Sequence, residues 1–309
     1  MTSATTAPVL AWSLTRQSRA VITCWALLSA MLIAGCGLTS SQQTAIGKFS
    51  TATASLGEVA RKEFAQSRAD VIELNSRAME LGNSTVSPDK LDQFFTISRV
   101  AIRTAACDAI TQYAQLLHTL ATTDKSADLL LARDRFITSL ATVRAVRLDD
   151  TQTGVIGAAI AFVGSAAIEA ERRQRVTEIV RGTSPALRLL IELIQQDFDP
   201  TAEHWQLGYD ATLKRLENSA KIRIPAAGIE SLSISDAAQV RQAQSLAARI
   251  RNRRDTASAE VLAATAQLAA AEKELRIVMD HPDIIMEDVD KFVAGVQKLE
   301  SIIRILDNR

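Results

Sequence analysis

Apolar residues recur in steps of three and four through most of this chain, the period of helices that each bury one face. The first long seam reads Ile46, Phe49, Thr53, Leu56, Ala60, Phe64, Ser67, Val71, Leu74, Ala78 and Leu81, and Gly82-Asn83 supplies a left-handed stop. Ser87, Pro88 and Asp89 announce the next helix as cap, first-position proline and first-turn acid. Its seam runs through Leu91, Phe94, Ser98, Ala101, Ala105, Ala109, Leu116 and Leu120 to about Ala121. So short a connection predicts an antiparallel hairpin.

A third helix is predicted over Ser126 to Arg147, with Leu129, Phe136, Leu140 and Val143 inward, followed by a polar break from Asp149 to Thr153. A fourth runs from Thr153 to Arg181 and stops at Gly182; Ser184-Pro185 opens a fifth, ending near Phe198. Asp199-Pro200 repeats that signal for a sixth, which continues to about Ala220. Residues 221–235 contain Pro225 and Gly228 and lose the period, so they form a loop. The seventh helix, Asp236 to Asp280, would measure about 68 Å at 1.5 Å per residue. Ala243, Leu246, Ile250, Arg253, Ala257, Val261, Ala264, Leu268, Ala271, Leu275 and Val278 line its seam, with Arg253 as the one charged position. After Pro282 a last helix passes through Val289, Phe292, Val296, Leu299, Ile303 and Leu306. The expected fold is all-α: an elongated antiparallel bundle with long coiled-coil-like helices.

Composition agrees with that pattern, since only 12 Gly and 6 Pro interrupt 309 residues and aromatics make up 4%. Lys plus Arg equals Asp plus Glu at 35 each. A body this close to neutral has no broad electrostatic reason to bind nucleic acid.

The first 36 residues break into three zones. Arg16 and Arg19 make a positive stretch without acids, Ala20 to Ala34 is an apolar run, and Gly35-Cys36 follows. The run suits a signal-peptide core better than a membrane span of about 20 residues. Ile33-Ala34-Gly35-Cys36 resembles the lipobox of bacterial prolipoproteins, a likeness confined to the leader. The resemblance implies that residues 1–35 are a signal peptide, cleaved between Gly35 and Cys36, with Cys36 carrying diacylglyceryl and an N-acyl chain such as palmitate. An uncleaved signal anchor or an ordinary secretory leader are the alternatives. Residues 36–43 would be a lipidated tether and 44–309 the helical domain, with the 221–235 loop inside it. Gly rather than Asp at position 37 implies, by the rule of enteric bacteria, the periplasmic face of the outer membrane. Of the cysteines, Cys24 leaves with the leader and Cys36 is acylated, so Cys107 is a lone thiol expected to be buried.

Gly154 to Ile168 is a run of fifteen residues without charge. In one reading it is a buried central helix, its small residues Gly157, Ala161, Gly164 and Ser165 allowing close backbone approach. In the other it enters a membrane through Gly154, Ile156, Gly157, Ile160, Phe162, Gly164 and Ile168 while Arg172, Arg173 and Arg175 meet acidic head groups. Long helices around an apolar middle segment resemble α-helical pore-forming toxins in outline, without a specific motif. Arg249, Arg251, Arg253 and Arg254 form a basic run spread around the seventh helix, offset by Asp255 and Glu260 and expected to be a solvated surface.

Catalytic, cofactor and metal chemistry have thin support. His118, His204 and His281 lack the helical pairing of a zinc site. Asp197, Asp199, Glu203 and His204 gather near a helix junction, where Asp199 reads more simply as a cap and Glu203 as a first-turn charge. No nucleophile elbow, phosphate loop or paired-cysteine motif occurs. The expectation is a non-enzymatic lipoprotein that binds membrane lipid through Cys36 and engages an envelope protein, or itself, through its helices. Membrane perturbation by 154–168 and an inter-helix enzyme or carrier pocket are the competing functions.

Overall fold

A computed structural model describes residues 37–82, 87–166, 171–201 and 205–308. All regular structure among them is helical: α1 (Ser40–Glu80), α2 (Ile97–Thr122), α3 (Ser126–Arg147), α4 (Asp150–Ser165), α5 (Arg172–Phe198), α6 (Trp205–Arg223), α7 (Ile234–Asp280) and α8 (Glu287–Asp307), with 3-10 turns at Pro88–Lys90 and Ile229–Ser231.

Helices α1, α2, α5 and α7 close a ring, each packed on the next and α7 returning to α1. The α3–α4 hairpin lies against α2 and α5 and makes a second ring that shares those two helices. Beyond the end of α5, α6 takes its place beside α7 and also packs on α1. Helix α8 lies on the other contact line of α1 and α7, burying Val289, Phe292, Val296, Leu299 and Ile303. A continuous core results, from Ile46 and Phe49 near one end of α1 to Leu74 and Ala78 near the other.

Local chemistry moves several boundaries from where periodicity put them. Helix α1 begins inside the expected tether, because Thr39 and Gln42 form a reciprocal capping box. The helix predicted from Ser87 is a single 3-10 turn, and α2 starts only at Ile97, capped by Thr96. Between them Gln93 adopts φ 42°, a left-handed conformation that ends any helix, and Phe95 turns fully into the core. The polar break at 149–153 shrinks, since Asp149 and Gln152 make a second capping box that starts α4 at Asp150.

The largest revision concerns Gly182 and Ser184-Pro185, which mark no boundary. Helix α5 runs through them, and the interruption lies between Ser165 and Arg172 instead. A Cβ on Gly182 would overlap the Phe162 ring of α4, so this glycine serves a helix crossing rather than a helix end. Pro185 removes one backbone bond, and the buried Leu187, Leu190, Ile191 and Ile194 hold the helix together around it. Asp199, expected to open the sixth helix, is instead the C-cap residue of α5, and α6 is described from Trp205 onward. At 47 residues α7 spans about 70 Å.

Candidate interaction surfaces

The basic run of α7 is absorbed within the protein. Arg253 grips Glu63 of α1 with two nitrogens, at 2.9 and 3.0 Å, and reaches Asp307 of α8 at 2.9 Å. Arg254 pairs with Asp210 and with Asp255, the latter at 2.7 Å. Arg251 meets Glu217 at 2.6 Å and Arg249 meets Glu73 at 3.2 Å. Glu260 joins Lys298 at 2.7 Å rather than the run. Only Arg249 and Arg251 keep substantial exposure, so the expected solvated face is a belt of ion pairs tying α7 to α1, α6 and α8.

Nearby, Tyr209 of α6 donates its hydroxyl to Asp70 of α1 at 2.5 Å. Burial first, and then that carboxylate, push its phenol well above the ordinary value. Arg103 lies 4.2 Å over Trp205 and bonds Asp197 at 2.9 Å. That pair accounts for one acid of the junction cluster. Asp199 accepts from the Thr201 amide and hydroxyl at 2.8 and 2.7 Å, which hold it below the usual carboxylate range. Glu203 and His204 lie outside the described residues. Among the described residues no group of His, Cys, Asp and Glu is arranged to hold a metal ion. His118 is exposed, and His281 closes α7 through its amide on the Ile277 carbonyl at 2.9 Å.

The apolar run is neither central nor fully buried over its described part, 154–166. Ile156, Ala159 and Val163 point into the core, Ile160 and Phe162 are half-buried, and Gly154, Ala158, Ala161, Gly164 and Ser165 face out. A Cβ on Gly157 or Gly164 would meet Arg144 or Ile137 of α3 at ordinary contact distance, so neither glycine is required by the α3–α4 crossing. Ile168 lies outside the described residues, as do Gly35 and Cys36. Among the described residues no helix is long and apolar enough to cross a membrane. Cys107 is fully buried in α2, and burial pushes its thiol far above the ordinary value.

Among the described residues, one of several open surface recesses lies in line with α8. Past the end of α8, the contact line of α1 and α7 continues as an open groove of about 810 Å³. Ala65, Ala69 and Ile72 of α1 and Leu246 of α7 supply its apolar lining, and Arg68, Glu80 and the cross-groove partners Glu73 and Arg249 supply its charge. Glu73 and Arg249 also border the smaller recess that holds Leu306 and Asp307 at the end of α8. The groove is therefore the continuation of the channel in which α8 lies. Leu246 was legible as a seam residue, whereas Ala65, Ala69, Ile72 and Ser76 form a second stripe, in steps of four, three and four, that the dominant seam obscures. No family model, curated protein or solved structure matches the chain.

Proposed function

We propose that this protein is a lipid-anchored envelope scaffold without enzymatic activity, whose elongated, antiparallel, coiled-coil-like body captures a helix of another envelope protein in the α1–α7 groove. The observation that carries the reading is that groove, left open in line with α8. Helix α8 provides the template: an amphipathic helix with apolar positions at Val289, Phe292, Val296, Leu299 and Ile303, edged by Lys298–Glu260 and Lys48–Asp290 pairs. A partner helix with similar spacing would cover Ile72 and Leu246 and exchange the Glu73–Arg249 bridge for its own charges.

The lipobox Ile33-Ala34-Gly35-Cys36 supports anchoring at Cys36, and Gly37 supports the periplasmic face of the outer membrane. Anchoring would keep the groove at high local concentration near its target. The packing of Ile156, Ala159 and Val163 against α3 and α5 favours this reading over insertion of 154–168 in a membrane.

The test is photo-crosslinking in the native cell from Ala69 and Ser245 in the groove, with Leu207 on another face as reference. A discrete adduct from the groove positions, lost in Cys36→Ala, is the expected result; a product of twice the chain mass names self-association. No adduct from either groove position, at normal protein level, would falsify the reading.

A further inference from the structure

The tether to the anchor is much shorter than the sequence suggests. Helix α1 starts at Ser40, and Leu38 is already packed in the core at 8% exposure. Only Gly37 separates Leu38 from Cys36, two residue steps that reach at most about 7 Å in extended chain. Lipid on Cys36 therefore leaves the body no stand-off distance. The end of the bundle from which residue 37 emerges has to meet the bilayer.

That end can be identified. Gln42 donates to the carbonyls of Val278 and Met279, both at 3.1 Å, so the last turn of α7 lies beside the first turn of α1. The connection between α7 and α8 leaves from there, and Lys48–Asp290 pins its far side back to α1. It carries Ile284 and Ile285, the latter 85% exposed, with Ile277 exposed one turn earlier. Arg175 donates to the Thr123 carbonyl, which places the α2–α3 connection at the same end, and Leu130 and Leu131 stand exposed in the first turns of α3. Five of the ten exposed large aliphatics among the described residues thus gather where the anchor enters. Some charges at this end are paired, Arg172 and Arg175 sharing Asp124 and Arg181 meeting Asp280, while Lys125, Asp128 and Asp283 have no ion-pair partner among the described residues.

We propose that this end of the body rests on the membrane that holds Cys36, with Ile284 and Ile285 inserted at the boundary of head groups and acyl chains. The occupant of the apolar patch is a lipid surface. The inference rests on the lipid-anchored reading and adds an orientation to it: α7 stands away from the bilayer, and Ile222 and Ile234, exposed at 69% and 93%, lie at the distal end about 70 Å away.

The test uses the full protein, purified from membranes and reconstituted in phosphatidylethanolamine–phosphatidylglycerol vesicles whose acyl chains are brominated. Trp205 is buried and, with the leader removed, is the sole tryptophan, so Ile285→Trp and Ile222→Trp each add one exposed reporter. Insertion to a depth of about 5–10 Å should make the bromine-dependent loss of added emission at least about twofold greater for Ile285→Trp than for Ile222→Trp. The intact mass of the same sample reads acylation of Cys36. Equal quenching in acylated protein overturns the end-on contact and leaves the anchor standing; absence of the acyl mass overturns both.

Discussion

Glu63 of α1 and Arg253 of α7 face each other as a two-pronged pair with side chains 5% and 13% exposed, and Asp307 of α8 completes the site at 2.9 Å from the same guanidinium. Burial pushes the Glu63 carboxyl up, and the two carboxylates keep the Arg253 guanidinium firmly protonated. Removing one member leaves the other buried and uncompensated. Arg253→Met should cost about 3–5 kcal/mol, whereas Glu63→Met combined with Arg253→Met should recover most of that loss. A double-mutant cycle by urea unfolding checks this; additive single effects would show that the pair is not coupled.

A second buried acid sets a pH dependence. Glu272 of α7 is 1% exposed, and desolvation raises its carboxyl above the ordinary 4.5, with the Ser184 hydroxyl and Arg276 acting against it. An acid with a raised folded value binds more protons folded than unfolded just above pH 4.5, so stability falls as pH rises through that window. Glu272→Gln should flatten this part of the curve and raise the melting temperature at neutral pH. A melting curve of the variant that keeps the wild-type slope would assign the dependence elsewhere, Glu63 being the next candidate.

Three glycines in helices should respond in opposite directions. Gly47 of α1 has open space where a Cβ would go, so Gly47→Ala should stabilise by up to about 1 kcal/mol through helix propensity. A Cβ on Gly57 would sit 2.8 Å from the Cys107 carbonyl oxygen and closer still to the Thr111 hydroxyl. The neighbour there is backbone, so Gly57→Ala forces α1 and α2 apart and should cost about 1–3 kcal/mol. Gly182→Ala should lose stability in the same way and regain it with Phe162→Leu, as thermal melts of the single and double variants would show.

Those glycines also mark where the sequence was legible and where it was not. The seams of α1, α3, α7 and α8 could be read directly, because each helix buries one stripe and its period survives in the residue order: Phe49 and Phe64, Phe136 and Leu140, Val261 and Leu268, Phe292 and Leu299 are all buried. Boundaries failed where tertiary contact overrode a local signal. Gly182 and Pro185 read as stop and start, yet the Phe162 ring requires the one and core packing tolerates the other. Ser87-Pro88-Asp89 is a sound helix start whose helix is cut short by the insertion of Phe95 against Trp205, at 4.2 Å between ring centroids. Arg253 was visible as a charged seam position, but its partner Glu63 lies 190 residues away and has no local signature. The groove was hidden for a related reason: it is defined by where α8 ends.

Cys107 ties the close α1–α2 approach to a chemical readout. Its thiol is fully buried, raised by desolvation, and its own carbonyl oxygen is the backbone atom nearest a Cβ at Gly57. Thiol reagents attack through the thiolate, so both access and ionisation protect this site in the native state. In a chain that begins at residue 37, Cys107 is the only thiol. Labelling should be negligible in buffer, and the rate should rise with urea in step with opening of the α1–α2 contact. Gly57→Ala, which prises that contact apart, should speed labelling in buffer well before global unfolding, while Gly47→Ala should not. Equal rates in all three proteins would mean that the thiol is reached by a route independent of the α1–α2 interface, and that the Gly57 approach contributes nothing to its protection.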